Sequence, residues 1–474
     1  MQQLVIDVTP DRWASQGEAE ATFKGRVVRI WSGIPGERSL VRVVHRGQHQ
    51  DVGAWQEAWA ADPHRVAPRC DRYHLCGGCP LMHLDGEGQR AAKRRMMQDA
   101  LASEGLGHLD VLPVVPSPTG DDDFRHIIKL GVGLSDHGHL RVGAWGRNTR
   151  TIVPIPGCTV AAPILRKVTA AVSQAARHQR IEPFDPSTNR GVIRAIVARA
   201  SRATGEVLVT LVAGRRNRSL EAMADDILTE CREVVGVALH LNDDPGNAIF
   251  FRDEDGRVPF QVLGGRATIE EDLGGFRVPI GPGDFFQTHP AMAEVVYADV
   301  IRRLGLAPGE PVVDLYSGVG LLTMMAAKAT GWALGVEEID GAVQAGRAAA
   351  KAHGVAAEFV VGRVEDELEG LRVRLADARP IIIVDPARRG LEPGVIDGIL
   401  ALRPRRMAYI SCNPRALARD LAKLVAGGME AGAISLYDMF PNTAHTEALV
   451  ILRSPDAEGL VRRAPQRKRL GGAG

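Results

Sequence analysis

The segment RMAYISCNP, Arg406–Pro414, is a short apolar strand that stops abruptly in a polar turn. A leucine-rich pattern with helical spacing follows the turn. A strand that ends here places Cys412 at the carboxyl edge of a sheet, where α/β enzymes bind their ligands. Cys412 is therefore a candidate nucleophile. The alternative is a buried packing residue, which is the commoner fate of a free cysteine.

Three similar segments precede this strand in the chain. VVDLYSGVG, ALGVE and IIIVDPARRG carry Asp314, Glu337 and Asp385 to what should be the same edge. From about 275 to 452, apolar strands alternate with helical patterns, which is typical of a mostly parallel, doubly wound sheet. If the final strand, ALVILR, runs antiparallel, its start lies beside the carboxyl ends of its neighbours. Glu447 then faces the same crevice as Cys412.

The composition is that of a globular protein, with 474 residues, 45% of them hydrophobic, and a net charge of +1. A chain of this length should hold several domains. The amino-terminal residues show no signal pattern and no apolar run is long enough to span a bilayer, so we expect a cytoplasmic protein without a membrane partner. Basic residues concentrate at 190–218 and in the tail at 456–474, which we expect to be flexible.

The amino-terminal part of the chain is rich in strand patterns. Residues 1–62 predict a small β-barrel, a class of module that often binds RNA. A central, largely antiparallel domain is expected over 63–265. It includes one amphipathic helix at about 88–106, a candidate to pack on the domain at 266–455.

Three cysteines are grouped on one loop, Cys70-x5-Cys76-x2-Cys79, where two glycines allow a tight fold. Cys158, flanked by turn residues, is the natural fourth ligand. Four sulfurs suit either zinc or an iron–sulfur cluster, and the spacing does not choose between them. Cys231 begins an apolar strand and is expected to pack.

The loop Asp314–Gly320 joins a strand to a helix through a glycine turn. It lacks the Gly-Lys-Ser/Thr of a P-loop and the third glycine of a dinucleotide site. Glu337, at the end of the next strand, is placed to accept both hydroxyls of a ribose. A ribose acceptor beside such a turn, without phosphate-binding groups, favours S-adenosylmethionine over NAD.

Taken together, these motifs resemble the RNA uracil-5-methyltransferases, specifically the iron–sulfur branch that modifies 23S ribosomal RNA. The resemblance covers nearly the whole chain. It rests on the cysteine loop, FFQTH, DLYSGVG, GVE, DPARRG, SCNP and DMFPNTAHTE, and the last four motifs are very specific in this order and spacing. The implied fold is α/β, with a TRAM- or OB-like barrel, a central β-rich iron–sulfur domain and a carboxyl-terminal Rossmann-like class I methyltransferase domain.

The resemblance also implies site residues. A [4Fe-4S] cluster would be held by Cys70, Cys76, Cys79 and Cys158. S-adenosylmethionine would contact Gln287, Tyr316, Glu337 and Asp385, with Cys412 as nucleophile and Glu447 as base. The sequence departs from the family pattern at Ser317, His289, Leu321 and Arg363.

The implied chemistry requires these groups. Uracil carbon 5 is too weak a nucleophile to accept a methyl group until a thiolate adds to carbon 6, which is covalent catalysis by Cys412. The target uridine must leave a helix, so the expected substrate is a loop or single strand of RNA, with 23S ribosomal RNA favoured over transfer RNA. The alternative class is a catalytically silent RNA-binding or ribosome-assembly factor. We expect a monomer.

Overall fold

The computed structural model describes residues 4–147, 149, 151–244, 246, 248–253 and 257–455. The basic tail at 456–474 lies outside the described residues. The chain forms two compact units. Among the described residues, the first comprises those within 4–103, 111–295 and 435–447, and the second comprises those within 104–110, 296–434 and 448–455. The domain boundaries at 62, 265 and 455 stay predictions.

The first unit begins with an antiparallel sheet that has one parallel pair. Its strands are β1 (Val5–Val8), β2 (Arg12–Trp13), β3 (Ala19–Phe23), β4 (Arg26–Trp31), β5 (Ser39–Arg46) and β6 (Gln50–Ala58). The spatial order is β1-β5-β6-β4-β3-β2, with β4 and β6 parallel. Alternate residues such as Ile6, Val28 and Val41 point into a shared core, which is the period-2 pattern of a half-buried sheet.

The helix predicted at about 88–106 is α1, Gly86–Ser103, so it starts two residues and ends three residues earlier than predicted. Asp85 sets the start, because its side chain accepts the Gly88 N–H at 2.7 Å. Gly105, with φ +76°, follows the end. Its packing on the carboxyl-terminal domain stays a prediction.

The central sheet of the first unit is largely antiparallel, as predicted. Its strands are β7 (Ile127–Leu134), β8 (Leu140–Trp145), β9 (Ile152–Val153), β10 (Ile193–Ala200), β11 (Val207–Ala213), β12 (Val234–Leu241) and β13 (Gln261–Gly265). The spatial order is β13-β12-β11-β10-β7-β8-β9, and only the β11–β12 pair is parallel among these described strands. Helices α2 (Pro163–His178) and α3 (Ser219–Glu230) cover it.

Cys231 lies in this central core and is fully buried, which confirms its predicted packing role. A hairpin of β14 (Ile269–Leu273) and β15 (Phe276–Ile280) follows the central sheet. Helix α4 (Pro290–Leu304) then begins in the first unit and ends in the second.

The second unit contains the predicted doubly wound sheet. Its strands are β16 (Val312–Leu315), β17 (Ala333–Glu337), β18 (Ala357–Val361), β19 (Ile381–Val384), β20 (Arg406–Ser411) and β21 (Glu430–Ala431); β22 (Ser435–Tyr437) belongs to the first unit, and β23 (Glu447–Arg453) follows it. The intervening helices are α5 (Leu321–Thr330), α6 (Asp340–Ala352), α7 (Val364–Leu375), α8 (Pro393–Ala401) and α9 (Pro414–Ala426).

The order in this sheet is β18-β17-β16-β19-β20-β23-β21, with β18 to β20 parallel and β23 antiparallel to β20. The predicted position of Glu447 depended on an antiparallel final strand, and β23 meets this condition. The four residues of β19 are all fully buried, because helices cover both faces of a parallel sheet. The strand order reverses between β16 and β19, which is the point at which open α/β sheets bind ligands beyond the carboxyl ends of their strands.

Candidate active site

Three of the predicted cofactor residues stand at the carboxyl edge of the second unit's sheet. Tyr316 and Asp385 follow Leu315 and Val384, which are register partners in neighbouring strands. Glu337 is the last residue of β17. The structure therefore gathers these three side chains at one edge, as parallel strands require. Their roles stay predictions.

Glu337 is held by the glycine turn itself. Its carboxylate accepts the Gly318 N–H at 2.9 Å and the Ile339 N–H at 3.0 Å. Burial raises the pKa of Glu337, and these backbone donors oppose that rise by favouring the carboxylate. Each carboxylate oxygen has a second lone pair, so the group can still accept a pair of ribose hydroxyls.

The turn has an unusual backbone. Tyr316 has φ +65°, a left-handed conformation that is uncommon for a residue with a side chain and is often found at functional sites. Gly320 has φ +76° and starts α5, and a Cβ atom there would lie 2.2 Å from the Phe359 ring. The chain can therefore make this close turn only with glycine at 320.

Asp314, which was predicted to lie at the same edge, connects two elements inside the second unit. It is buried, and it accepts the Thr323 hydroxyl at 2.6 Å, which joins β16 to α5. Burial raises the pKa of Asp314 to about 7, and it moves the pKa of Asp385 in the same direction. Asp385 is only half-buried, so it remains accessible at the edge.

Cys412 lies between the end of β20 and the start of α9, and its side chain is partly exposed. Asn413 caps the helix by accepting the Arg415 N–H at 3.2 Å, and its amide donates to the Arg388 carbonyl at 2.7 Å. The SCNP turn is thereby fixed to the DPARRG loop. The positive end of the α9 dipole favours a negative charge at Cys412.

The buried Asp420 carboxylate forms hydrogen bonds with residues near both the SCNP turn and the DPARRG loop. Asp420, on α9, is fully buried and accepts the Leu391 N–H at 2.7 Å and the Tyr409 hydroxyl at 2.6 Å. Arg419 also donates to it, at 2.9 Å. The conformation around Cys412 is therefore specified by hydrogen bonds from a strand, a loop and a helix.

Glu447 is the first residue of β23 and is buried. In the antiparallel pair, Ser411 is the register partner of Ala448. Cys412 follows Ser411 in the chain, and Glu447 precedes Ala448. The strand register thus brings the two backbone positions to the same end of the pair.

Gln287 belongs to the first unit, in the loop before α4, and is half-buried. Nearby, His289 is fully buried; its ring nitrogens lie 3.0 Å from the Ser117 hydroxyl oxygen and 3.4 Å from the Met292 amide nitrogen. Burial lowers the pKa of His289 to about 4, so the ring is neutral. This departure from the family pattern has a structural role at the start of α4.

The four predicted sulfur ligands line one small cavity in the first unit. Burial and the neighbouring Cys158 raise the pKa of the Cys79 thiol to about 12, and burial also raises the pKa of Cys70 and of Cys76. The Gly78 N–H donates to the Cys76 sulfur at 3.4 Å. Within the described part of the chain, no three His, Cys, Asp or Glu side chains are close enough to hold a single metal ion.

Comparisons with known proteins agree with this geometry. The family model for tRNA (uracil-5-)-methyltransferase matches residues 312–454. An RNA methyltransferase of Thermosynechococcus vestitus is 34% identical over 95% of this chain and 98% of its own, and one of Gloeobacter violaceus is 32% identical over 95% and 96%. The chain belongs to the RNA uracil-5-methyltransferase family.

A solved structure extends the likeness to the whole fold. The Pyrococcus abyssi tRNA (uracil-54, C5)-methyltransferase, in complex with S-adenosyl-L-homocysteine, matches this methyltransferase with a TM-score of 0.72 and 25% identity. The match covers 94% of this chain and all of that one. The protein is thus an S-adenosylmethionine-dependent RNA uracil-C5 methyltransferase. No helix in the described ranges combines the length and hydrophobicity needed to cross a bilayer.

Sequence reasoning missed several side chains of this methyltransferase that support the site. It gave no role to Lys93, which is fully buried on α1, and none to Asp438 or Asn442 in the DMFPNTAHTE motif. A signal was present, because Gln89, Lys93, Met97 and Leu101 recur every four residues and all face the interior. A lysine on such a stripe indicates a buried partner.

Proposed function

We propose that this methyltransferase forms 5-methyluridine in 23S ribosomal RNA, with Cys412 as nucleophile and Glu447 as general base. The observation that supports this assignment is the register of β20 and β23. It carries Cys412 and Glu447, from distant parts of the sequence, to the same end of one strand pair. A nucleophile and a base must reach neighbouring carbons of one ring, so their backbones must meet in this way.

The residues perform the reaction in sequence. The Cys412 thiolate adds to carbon 6 of uracil, the C5–C6 double bond opens, and the ring becomes an enolate. When bound, S-adenosylmethionine would supply an electrophilic methyl group to carbon 5, and its sulfur would keep the electron pair of the broken S–CH3 bond and leave as S-adenosyl-L-homocysteine. Glu447 then removes the carbon-5 proton, the C5–C6 double bond re-forms, and the S–C6 bond breaks with its electron pair returning to Cys412.

The cofactor contacts proposed are Gln287, Tyr316, Glu337 and Asp385. Glu337 would bind the ribose hydroxyls with its remaining lone pairs. Gly318 leaves open space beside the backbone, since an added Cβ there would meet nothing within 4 Å, so a ligand can approach the turn closely. Exchange of Glu337 for Gln should weaken binding of S-adenosyl-L-homocysteine by about 1.5–3 kcal/mol in calorimetry, the value of a hydrogen bond to a charged group.

We propose that Cys70, Cys76, Cys79 and Cys158 hold a [4Fe-4S] cluster. Four thiols around one cavity fit a cluster, whose ligands surround a larger body than a single ion. No step of the reaction needs an electron, so the role proposed is structural. Protein purified without oxygen should be brown and carry about four iron atoms per chain. Colourless protein that contains zinc would contradict the proposal.

Contacts to flanking nucleotides are proposed for the amino-terminal sheet. A cavity of about 360 Å³ there is lined by apolar side chains that include Phe23, Val28 and Val43 and by two exposed cations, Lys24 and Arg46, which we call its rim. This combination suits a base against the wall and phosphates at the rim.

Mutation of the rim tests these contacts. The double variant Lys24→Ala/Arg46→Ala should bind RNA more weakly, and the slope of log affinity against log salt should fall by about two. The control Arg12→Ala removes a cation of the same sheet that lies outside the cavity. An unchanged slope in the double variant would remove this surface from the proposal.

Transfer RNA is the second candidate substrate. The specific observation in its favour is the likeness to the Pyrococcus abyssi enzyme, which is a tRNA (uracil-54, C5)-methyltransferase. The deciding experiment maps 5-methyluridine in both RNA classes from a strain that lacks the gene. Loss from 23S ribosomal RNA alone is expected, and loss from transfer RNA alone would favour the second candidate.

The proposed nucleophile has a separate test. RNA that contains 5-fluorouridine has no removable proton at carbon 5, so it should trap a covalent complex with the wild type. Cys412→Ala should form none. A catalytically silent RNA-binding factor would trap none with either protein.

A further inference from the structure

A buried ion pair lies in the first unit, outside the site described above. Lys93 and Asp438 are 0% and 1% exposed in their side chains and form a salt bridge. Lys93 also donates to the Phe440 carbonyl at 2.9 Å. A lysine is almost never fully buried unless it is paired. Helix α1 therefore binds the start of the DMFPNTAHTE segment, at Asp438 and Phe440, through Lys93.

Gln89, one turn before Lys93 on the same helix, makes a second contact with this segment. Asn442 donates its N–H to the Gln89 side-chain oxygen at 2.7 Å, and the Gln89 amide donates to the Asn442 side-chain oxygen at 3.2 Å. The Asn442 amide donates to the Asp121 carbonyl at 2.8 Å, and its own carbonyl accepts the Leu81 N–H at 2.9 Å. Asn442 is thus bonded through its backbone and its side chain.

The backbone of Asn442 is held in an unfavourable conformation. Its φ is +65°, and the residue is fully buried. Strained conformations of this kind persist only where the surroundings over-determine them, and they cluster at functional sites. The hydrogen bonds of the Asn442 backbone and side chain hold the residue in this conformation.

The DMFPNTAHTE segment ends at Glu447, the proposed base. Thr446 donates its hydroxyl to the Tyr437 carbonyl at 2.8 Å, which closes the segment into a loop. Glu447 is the next residue, and it is buried. The segment that α1 contacts therefore ends at the residue with which β23 begins.

Stability alone does not account for the pair. Well-packed apolar side chains of similar volume commonly serve as well as a buried ion pair, or better. What an ion pair adds is a directional contact between one atom of α1 and one atom of the loop. That contact selects a single loop conformation.

We propose that Lys93, Gln89, Asp438 and Asn442 are positioning residues that fix Glu447 for removal of the carbon-5 proton. The proposal rests on the assignment of Glu447 as the base. Proton transfer needs the carboxylate at hydrogen-bonding distance from its proton, so a shift of about 1 Å slows the step by up to about 100-fold. Addition of Cys412 and methyl transfer do not use Glu447 and should be spared.

The test uses two RNA substrates and separates these steps. The variant Lys93→Met/Asp438→Leu replaces the pair with apolar side chains, and Arg95→Met, which removes an exposed ion pair with Asp99 on the same helix, is the matched control. On 5-fluorouridine RNA, both variants should trap the covalent complex at the wild-type rate. On ordinary RNA, only the double variant should accumulate the methylated covalent complex, with release slowed about 10- to 100-fold.

Each result is decisive. A folded double variant that releases product at the wild-type rate, or that also fails to trap 5-fluorouridine RNA, overturns the proposal. If the double variant does not fold, Gln89→Met gives the same test at the other contact. Normal turnover by Glu447→Gln would instead refute the base assignment, so the two failures are distinguishable.

Discussion

Replacement of Gly320 by Ala tests how the cofactor loop is built. Gly320 begins α5 with φ +76°, and an added Cβ would lie 2.2 and 2.3 Å from two carbons of the Phe359 ring. Two effects should therefore add. A left-handed conformation costs a non-glycine residue about 1–2 kcal/mol, and overpacking of a core costs about 1–3 kcal/mol. We expect a loss of about 2–5 kcal/mol in the free energy of unfolding.

The other end of the same helix provides a matched control. Gly331 ends α5 with φ +90°, and an added Cβ there meets nothing within 4 Å. Gly331→Ala should therefore show the conformational cost alone, about 1–2 kcal/mol. The difference between the two variants isolates the clash with Phe359.

The assay is urea denaturation followed by circular dichroism, with calorimetric titration of S-adenosyl-L-homocysteine in parallel. Gly320→Ala should also weaken this ligand, whereas Gly331→Ala should bind it normally. In the double variant Gly320→Ala/Phe359→Ala, the loss should be smaller than the sum of the single losses, because the ring is gone. Equal losses at the two glycines, or additive losses in the double variant, would refute this account.

Three further predictions follow from buried groups. Asp420→Ala should cost about 2–6 kcal/mol in urea unfolding, since two buried donors lose their acceptor; adding Tyr409→Phe should recover part, and additive costs would contradict this. Burial raises the pKa of Asp314 to about 7 from 3.8, so the folded state binds more protons than the unfolded state in that window. The contribution of Asp314 to the free energy of unfolding should therefore fall by up to about 4 kcal/mol as pH rises from about 4 to 7, and the difference between the pH profiles of the wild type and Asp314→Asn should show this fall. Arg65→Met leaves the buried Glu37 carboxylate unpaired and should cost about 3–5 kcal/mol in thermal or urea melts, whereas Arg65→Met/Glu37→Leu should cost much less.

The doubly wound part of the fold could be predicted because its strands are fully buried apolar runs between helices. A strand such as Ile381–Val384 has few other structural interpretations, and a polar residue at its end must lie at the sheet edge. The antiparallel direction of the last strand was only a condition of the sequence-based prediction. The basic stretch at 190–218 was harder to interpret, since Arg199 is buried and donates to the Asp284 carbonyl at 2.5 Å rather than forming part of an open surface.

The candidate site was only partly predictable, because the sequence does not show which polar residues become buried. The motifs around Cys412 and Glu447 are local and carry their own signal. Lys93 and Asp438 are 345 residues apart, and nothing in either segment identifies the other as its partner. Burial of a charge depends on what covers it, which is a property of the assembled chain.

By itself, the sequence determined the order and type of the elements, the glycine turn and the grouping of three cysteines, because these depend on neighbours along the chain. The tertiary structure alone decided the spatial order of the strands, the cavity that collects Cys158 with the other cysteines, and the attachment of the Glu447 segment to α1. Those outcomes depend on contacts between residues far apart in sequence. These contacts contribute to stability only in the folded chain, where the residues are close enough to interact.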